Sequence, residues 1–82
     1  MKQVLYFSAE WCGPCKTIKP MMQQLQSQIS ITYIDADASP GTCNKWNVRN
    51  IPTVLVIKNG MEIGRLVGTS INKESVTNLY NK

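Results

Sequence analysis

The sequence predicts an α/β domain with a four-stranded mixed sheet flanked by about three helices. Short runs of β-branched and aromatic residues alternate with an amphipathic stretch, and an Asn59-Gly60 pair marks a hairpin late in the chain. No linker or internal repeat divides the sequence. The chain has 82 residues, of which 43% are apolar, and this fits a single domain over residues 1–82.

The first half of the chain predicts a strand, a helix and a second strand. Residues 3–7 form an apolar run without a breaker, which is typical of a buried strand. Residues 13–29 predict a helix, in which Pro20 is expected to introduce a kink. Residues 30–35 predict the next strand, and the helical crossover implies that the two strands are parallel. The apolar face of the helix is indicated by Ile18, Met22, Leu25 and Ile29.

The second half predicts a short helix, a hairpin and a final helix. Residues 38–48 combine turn-forming residues with enough apolar ones for about two helical turns. A strand with its core at residues 54–58 runs into the Asn59-Gly60 turn, and residues 61–68 form the returning, antiparallel strand. Asn72 is suited to cap the last helix.

Charge and composition argue against several classes of function. Nine Lys and Arg residues against five Asp and Glu give a net charge of +4, but the basic residues are scattered. A nucleic-acid site needs clustered basic residues, so we expect no nucleic-acid partner. The apolar run near the start is too short for a secretion signal or a membrane span, so we expect no membrane association. We therefore expect a cytoplasmic monomer.

Three cysteines, Cys12, Cys15 and Cys43, carry the chemistry of the chain. Cytoplasmic thiols are kept reduced, so a Cys-x-x-Cys pair indicates redox chemistry or a metal site. Structural zinc needs four ligands and the chain has no histidine, which favours redox use and predicts no metal. A zinc or iron–sulfur site shared across a dimer stays open as the alternative. The lack of histidine also excludes a Cys–His catalytic pair.

Cys12 lies where the first strand meets the predicted helix, a position that favours a thiolate. Free backbone N–H groups and the positive end of the helix dipole stabilise the charge, and only the thiolate is a nucleophile. Lys16, one turn further on, is expected to add to this effect. Cys15, inside the first turn, is suited to resolving the mixed disulfide that Cys12 forms. Cys43 is expected to be inert and partly buried, and the alternatives are a regulatory thiol or an intermolecular disulfide.

The segment AEWCGPCK, from Ala9 to Lys16, resembles the active-site signature of the thioredoxin family. Pro20 matches the proline in that family's active-site helix. Residues 40–60 resemble the segment that leads into the family's cis-proline loop and hairpin. Ile51 and Pro52 are similar to the loop itself, which in the family lies beside the two cysteines and pairs with the bound substrate.

The resemblance implies a protein disulfide reductase with a redox-active Cys12–Cys15 disulfide and no bound cofactor. It implies protein disulfides as substrates, and electrons from a thioredoxin reductase that uses NADPH and FAD or from a glutathione-type system. Two alternatives stay open: a non-catalytic, thioredoxin-like binding subunit of a larger complex, and a glutaredoxin-like reductase linked to glutathione. The substrate-binding residues that the resemblance implies are Trp11, Gly13, Pro14, Ile51, Pro52 and Gly68.

The resemblance covers nearly the whole chain but not the whole domain of the family. Thioredoxins usually have an extra strand and helix before the strand that leads to the cysteines. The chain is therefore expected to be a short, glutaredoxin-sized member with a minimal thioredoxin fold. The expected strand order is 2-1-3-4, with an antiparallel hairpin as the last pair, and residues 31–35 are expected at an exposed edge.

Two departures from the family pattern concern proton transfer. Tyr6 occupies the position where the family usually has a buried Asp, and Tyr33 replaces the Lys that neighbours it. A tyrosine, with a pKa of ~10, is not a base near neutrality, so water or Glu10 is expected to take the proton of Cys15. The alternative is that both tyrosines fill the core with their hydroxyls hydrogen-bonded. Together with Lys16, these residues are the expected modulators of the site.

Overall fold

A computed structural model describes residues 2–82 and confirms the predicted α/β architecture. Four strands form one sheet, and three α-helices flank it in this part of the chain. A 3-10 turn, Gly68–Ser70, joins the last strand to the last helix. No helix within residues 2–82 is long and apolar enough to cross a bilayer. The elements are β1 (Lys2–Ser8), α1 (Cys15–Leu25), β2 (Ile31–Asp35), α2 (Pro40–Lys45), β3 (Thr53–Lys58), β4 (Met61–Val67) and α3 (Lys73–Tyr80).

The sheet has the predicted strand order, β2-β1-β3-β4. β1 and β2 are parallel, with Tyr6 opposite Tyr33, whereas β1 pairs antiparallel with β3 and β3 with β4. β2 is thus an edge strand of the sheet that residues 2–82 form. The β3–β4 connection is the predicted hairpin, because Asn59 and Gly60 adopt φ angles of 54° and 83°, as a two-residue turn of this kind requires.

The sheet separates two apolar cores. On one face, α1 and α3 cover a cluster that includes Tyr6, Met22 and Val76, all of them fully buried. On the other face, Trp46 and Cys43 pack over Leu5, Phe7, Val48, Leu55 and Ile57. The continuous apolar pattern of β3 follows from this arrangement, because a strand covered on both faces buries successive side chains.

The active-site helix is shorter than predicted. It begins at Cys15 and ends at Leu25, whereas the apolar spacing predicted residues 13–29. Gly13 lies in the turn before the helix, where its carbonyl accepts from the N–H of Lys16 at 3.1 Å. Ile29 lies beyond the end of the helix, but it is still buried in the core. It therefore fits the apolar spacing of the helix without being helical.

Smaller differences occur at the other element ends. The short helix α2 ends at Lys45, before the predicted boundary, and Asn47 follows in a left-handed conformation with φ of 55°. The predicted cap of α3 is confirmed, since the Asn72 side chain accepts from the N–H of Ser75 at 2.8 Å. The Ser75 hydroxyl in turn accepts from the N–H of Asn72 at 3.0 Å, completing a reciprocal capping arrangement.

Candidate active site

The two cysteines of the Cys-x-x-Cys pair form a disulfide between the end of β1 and the start of α1. A tight turn after β1 brings Cys12 into place, because its N–H donates to the carbonyl of Ala9 at 3.1 Å. Only 3% of Cys12 and 5% of Cys15 are exposed, so access to the pair is confined to a small part of the surface. Gly13 and Pro14, between them, are exposed.

The surroundings of Cys12 stabilise negative charge on its sulfur. The backbone N–H of Cys15 donates to Cys12 Sγ at 3.2 Å. No acidic residue lies in the first turn of α1, so the positive end of the helix dipole acts on the sulfur without a competing carboxylate from that turn. Thiolates with such surroundings form more readily and are better leaving groups. Lys16 follows in the same turn, with an exposed side chain.

The loop that contains Ile51 and Pro52 lies against the disulfide. The peptide bond between these two residues is cis, as predicted. Ile51 packs against Ala9, Cys12 and Cys15, although about forty residues separate it from them in the sequence. Sheet pairing explains this approach, because Phe7 at the end of β1 is opposite Thr53 at the start of β3. The cysteines and the loop are therefore fixed by adjacent strands of one sheet.

Gly68 is attached to the same loop. Its N–H donates to the carbonyl of Pro52 at 3.0 Å, and its φ of 61° lies in the left-handed region that favours glycine. Thr53, which is buried, donates its hydroxyl to the carbonyl of Asn50. These bonds attach Gly68 to the cis-proline loop, of which Ile51 packs against the cysteines. Ile51, Pro52 and Gly68 are called the rim below.

Trp11 is a surface residue beside the disulfide. Trp11 is 67% exposed and therefore lies outside the core. The indole Nε1 donates to Asp37, at 3.0 Å from Oδ2 and 3.3 Å from Oδ1. Asp37 was not among the site residues predicted from the sequence. A signal was present, because Asp37 lies two residues after the end of β2, and the carboxyl ends of the parallel strands β1 and β2 meet at one edge of the sheet.

Two neutral tyrosines lie behind the cysteines. Tyr6 is fully buried, and its hydroxyl donates to the carbonyl oxygen of Cys15 at 3.4 Å. Tyr33 meets it edge to face, with ring centroids 5.8 Å apart, and donates its hydroxyl to Gln26 Oε1 at 3.2 Å. Burial raises the pKa of both phenols, and the neighbouring Tyr33 raises that of Tyr6 further. These contacts agree with the expected core role for Tyr6, whereas Tyr33 is half-buried and packs against the same core.

A cavity of about 470 Å³ opens beside the disulfide, between the start of α1 and the ends of β1 and β2. Tyr6 and Tyr33 line it together with four charged side chains. This cavity was not predictable from the sequence, because it depends on the distance between the helix and the edge of the sheet. The lining residues are Tyr6, Ser8, Ala9, Glu10, Cys12, Cys15, Lys16, Lys19, Tyr33, Ile34 and Asp35.

The third cysteine lies apart from this site. Cys43, which belongs to α2, is free and half-buried. It packs against the core on the other face of the sheet from α1. Among residues 2–82 there is no group of three or more His, Cys, Asp or Glu side chains placed to hold a metal ion. The two cysteines of the site are instead bonded to each other.

Known proteins share both the sequence and the fold of this chain. The family model described as Thioredoxin matches residues 1–82. A curated thioredoxin of Chlamydia muridarum (strain MoPn / Nigg) is 39% identical over 79 residues, which cover 93% of this chain and 76% of the relative. One from Staphylococcus aureus (strain MW2) is 36% identical, covering 98% of this chain and 80% of the relative. The crystal structure of reduced Schistosoma mansoni thioredoxin pre-protein has a TM-score of 0.88 at 34% identity, and covers 98% of this chain and 76% of that one. The chain therefore belongs to the thioredoxin family of thiol–disulfide oxidoreductases, with Cys12 and Cys15 as its redox-active disulfide.

Proposed function

We propose that the chain reduces protein disulfides, with Cys12 as the attacking thiolate and Cys15 as the resolving thiol. Cys12 attacks one sulfur of the substrate disulfide, forms a mixed disulfide with it, and releases the other substrate sulfur as a thiolate. Cys15 then attacks Cys12 Sγ, which releases the second substrate thiolate and closes the Cys12–Cys15 disulfide. Two electrons pass to the substrate. The observation that carries this assignment is the disulfide packed against the Ile51–Pro52 loop.

The proposed substrate surface surrounds Cys12. Trp11 contributes an exposed aromatic face, and its bond to Asp37 fixes the indole before a substrate arrives. On the other side, the loop at Ile51 and Pro52 is held by Gly68. Gly13 and Pro14 are exposed between the two sides. An extended peptide that carries a disulfide fits such a rim, because a preformed surface reduces the ordering that binding requires.

The proton of Cys15 needs an acceptor other than the tyrosines. Both phenols stay protonated near neutrality, because their pKa values are raised above 10.0. Glu10 and water in the adjoining cavity are the proposed acceptors, since Glu10 lines the cavity together with Cys15. The proposed electron donor for the oxidised protein is a thioredoxin reductase that uses NADPH and FAD, or a glutathione-type system. We further propose that the chain acts as a cytoplasmic monomer.

Reduction of insulin by dithiothreitol tests the assignment. The wild-type chain is expected to accelerate precipitation of the insulin B chain, and Cys12→Ser is expected to fall to the rate of dithiothreitol alone. Cys43→Ser is the matched control, since Cys43 lies on the other face of the sheet and is expected to retain wild-type turnover. Full activity in Cys12→Ser contradicts the enzyme assignment and favours a non-catalytic binding subunit. Cys15→Ser should trap substrates on Cys12, and mass spectrometry then identifies them.

A further inference from the structure

The cavity beside the disulfide offers the cysteines a second approach. It lies between α1 and the β1–β2 edge, and both Cys12 and Cys15 line it. No residue of the loop at Ile51 and Pro52 lines it. The cavity is therefore separate from the rim proposed for protein substrates. Its volume of about 470 Å³ lies within the usual range for small-molecule sites but is far too small for a folded protein.

The charges of the cavity have both signs. Lys16 and Lys19 line the cavity from α1, where they lie three residues apart and therefore on one face of the helix. Glu10 lines it from the segment after β1, and Asp35 lines it from the end of β2. Asp35 Oδ1 accepts from the N–H of Asp37 at 2.9 Å, which orients this carboxylate at the cavity. A ligand with both an ammonium group and a carboxylate therefore has partners for each charge.

We propose that this cavity admits a zwitterionic low-molecular-weight thiol, an amino-acid or short-peptide thiol, which reduces the Cys12–Cys15 disulfide directly. The carboxylate of the ligand pairs with Lys16 and Lys19, its ammonium group pairs with Glu10 and Asp35, and its sulfur faces the disulfide. The inference rests on the proposed function, since it names the small-molecule donor for the same dithiol. It also makes the approach of the donor distinct from that of the protein substrate.

The redox step is balanced by two molecules of the thiol. The first, as a thiolate, attacks Cys15 Sγ, a new disulfide bond forms there, and the Cys12–Cys15 bond breaks. Cys12 leaves as a thiolate, which the N–H of Cys15 at 3.2 Å stabilises. The second thiolate attacks the ligand sulfur, which releases the Cys15 thiolate and a low-molecular-weight disulfide. The protein gains two electrons, and solvent supplies the protons that the thiolates take up.

Stopped-flow reduction of the oxidised chain, followed by Trp11 fluorescence, tests the proposal. The probes are glutathione and L-cysteine, compared with neutral 2-mercaptoethanol at equal thiolate concentration. Lys16→Gln/Lys19→Gln is expected to lower the preference for the zwitterionic thiols roughly fourfold, since each of the two exposed ion pairs contributes a factor of about two. Lys45→Gln/Lys58→Gln removes the same net charge elsewhere, because Lys45 ends α2 and Lys58 ends β3, and should keep the preference.

A second variant examines the ammonium group separately. Glu10→Gln is expected to slow reduction by glutathione and L-cysteine but not by N-acetylcysteine, which has a carboxylate and no ammonium group. An equal effect on all three thiols overturns the pairing with Glu10. No preference of the wild-type chain for glutathione or L-cysteine over 2-mercaptoethanol overturns the whole proposal.

Binding is measured independently of the reaction with S-methylglutathione, which has no free thiol. In ¹H–¹⁵N spectra of the oxidised chain, shifts are expected at the amides of Lys16, Ile34 and Asp35. Shifts confined to Ile51 and Gly68 place the ligand on the rim and overturn the cavity assignment. Insulin turnover with dithiothreitol is recorded for the wild-type chain. Normal insulin turnover without a preference for zwitterionic thiols overturns the cavity proposal alone, whereas absence of insulin turnover overturns the proposed function.

Discussion

Replacing Tyr6 by aspartate places an ionisable group behind the cysteines, where the chain now has a neutral one. Tyr6 is fully buried, and its hydroxyl reaches the carbonyl of Cys15 at 3.4 Å. Its raised pKa keeps it uncharged over the whole range in which thiols titrate. We therefore expect the wild-type pH profile to report the cysteines without a carboxylate beneath them, whereas Tyr6→Asp adds a negative charge that opposes the Cys12 thiolate.

The size of this effect follows from the geometry. An aspartate carboxylate ends about 4 Å short of the tyrosine hydroxyl, which itself lies 3.4 Å from the carbonyl oxygen of Cys15. For a separation of roughly 7 Å between the carboxylate and the thiolate, an effective dielectric constant of about 20 gives ~2 kcal/mol of repulsion. This corresponds to a rise of ~1.5 units in the pKa of Cys12. Burial also raises the pKa of the new carboxyl, so the repulsion develops only as that group ionises. Turnover at pH 7 is expected to fall roughly tenfold, in proportion to the lost thiolate.

The assay is insulin reduction from pH 5 to 9, together with alkylation of reduced Cys12 by iodoacetamide over the same range. Tyr6→Asn is the matched control, since it leaves the same space and hydrogen-bonding capacity without the charge. Circular dichroism establishes that both variants are folded. If Tyr6→Asp and Tyr6→Asn give the same alkylation pKa, the charge at position 6 does not act on Cys12 and the reasoning is refuted.

Three further predictions concern stability. Met22→Ala removes a fully buried side chain from the core beneath α1 and is expected to cost about 2–5 kcal/mol in urea unfolding, whereas Met22→Leu, which keeps the volume, should cost much less. Asn72→Ala removes the cap of α3 and is expected to cost ~1 kcal/mol, and a loss as large in Asn72→Asp would argue against the cap as the cause. Glu62 has its pKa lowered from 4.5 by a hydrogen bond from Arg65, so its contribution to stability is present above pH 4.5 and is lost as the pH falls through the lower folded value. Glu62→Gln should remove that part of the acid dependence, and an unchanged acid transition contradicts the assignment.

The sequence was sufficient to predict the elements whose burial pattern is simple. β1 and β3 are short apolar runs, and the Asn59-Gly60 turn, the cap at Asn72 and the cis-proline position were all recognisable and were confirmed. The end of α1 was not predictable in the same way. Ile29 follows the helical spacing, yet it is buried in the loop that leads to β2. The spacing of apolar residues shows only which side chains face the core. A buried loop can continue the same spacing as a helix.

The candidate site was predictable only in part, for a related physical reason. The cysteines and Pro52 lie in local motifs with strong backbone requirements, so they could be identified from short stretches of sequence. Asp37 and the cavity depend on contacts between elements, since Asp37 reaches Trp11 from the turn after β2, 26 residues further along the chain. A lone acidic residue in a turn has many explanations. Only the parallel pairing of β1 and β2 makes this one a neighbour of the active-site loop.

The tyrosine pair connects the stability of the chain with its chemistry. A buried carboxylate and ammonium group must each lose hydration, and their attraction often fails to compensate for that loss. Two edge-to-face aromatic rings with bonded hydroxyls add apolar burial instead, and this strengthens the core that the sheet forms with α1 and α3. The same replacement leaves the cysteines without an internal base. A thiolate formed beside an N–H donor and a helix N-terminus needs less help from a base, and the cavity gives solvent access to the sulfur that still has to lose its proton. In this chain, therefore, the group that strengthens the core also leaves proton transfer to solvent-facing residues.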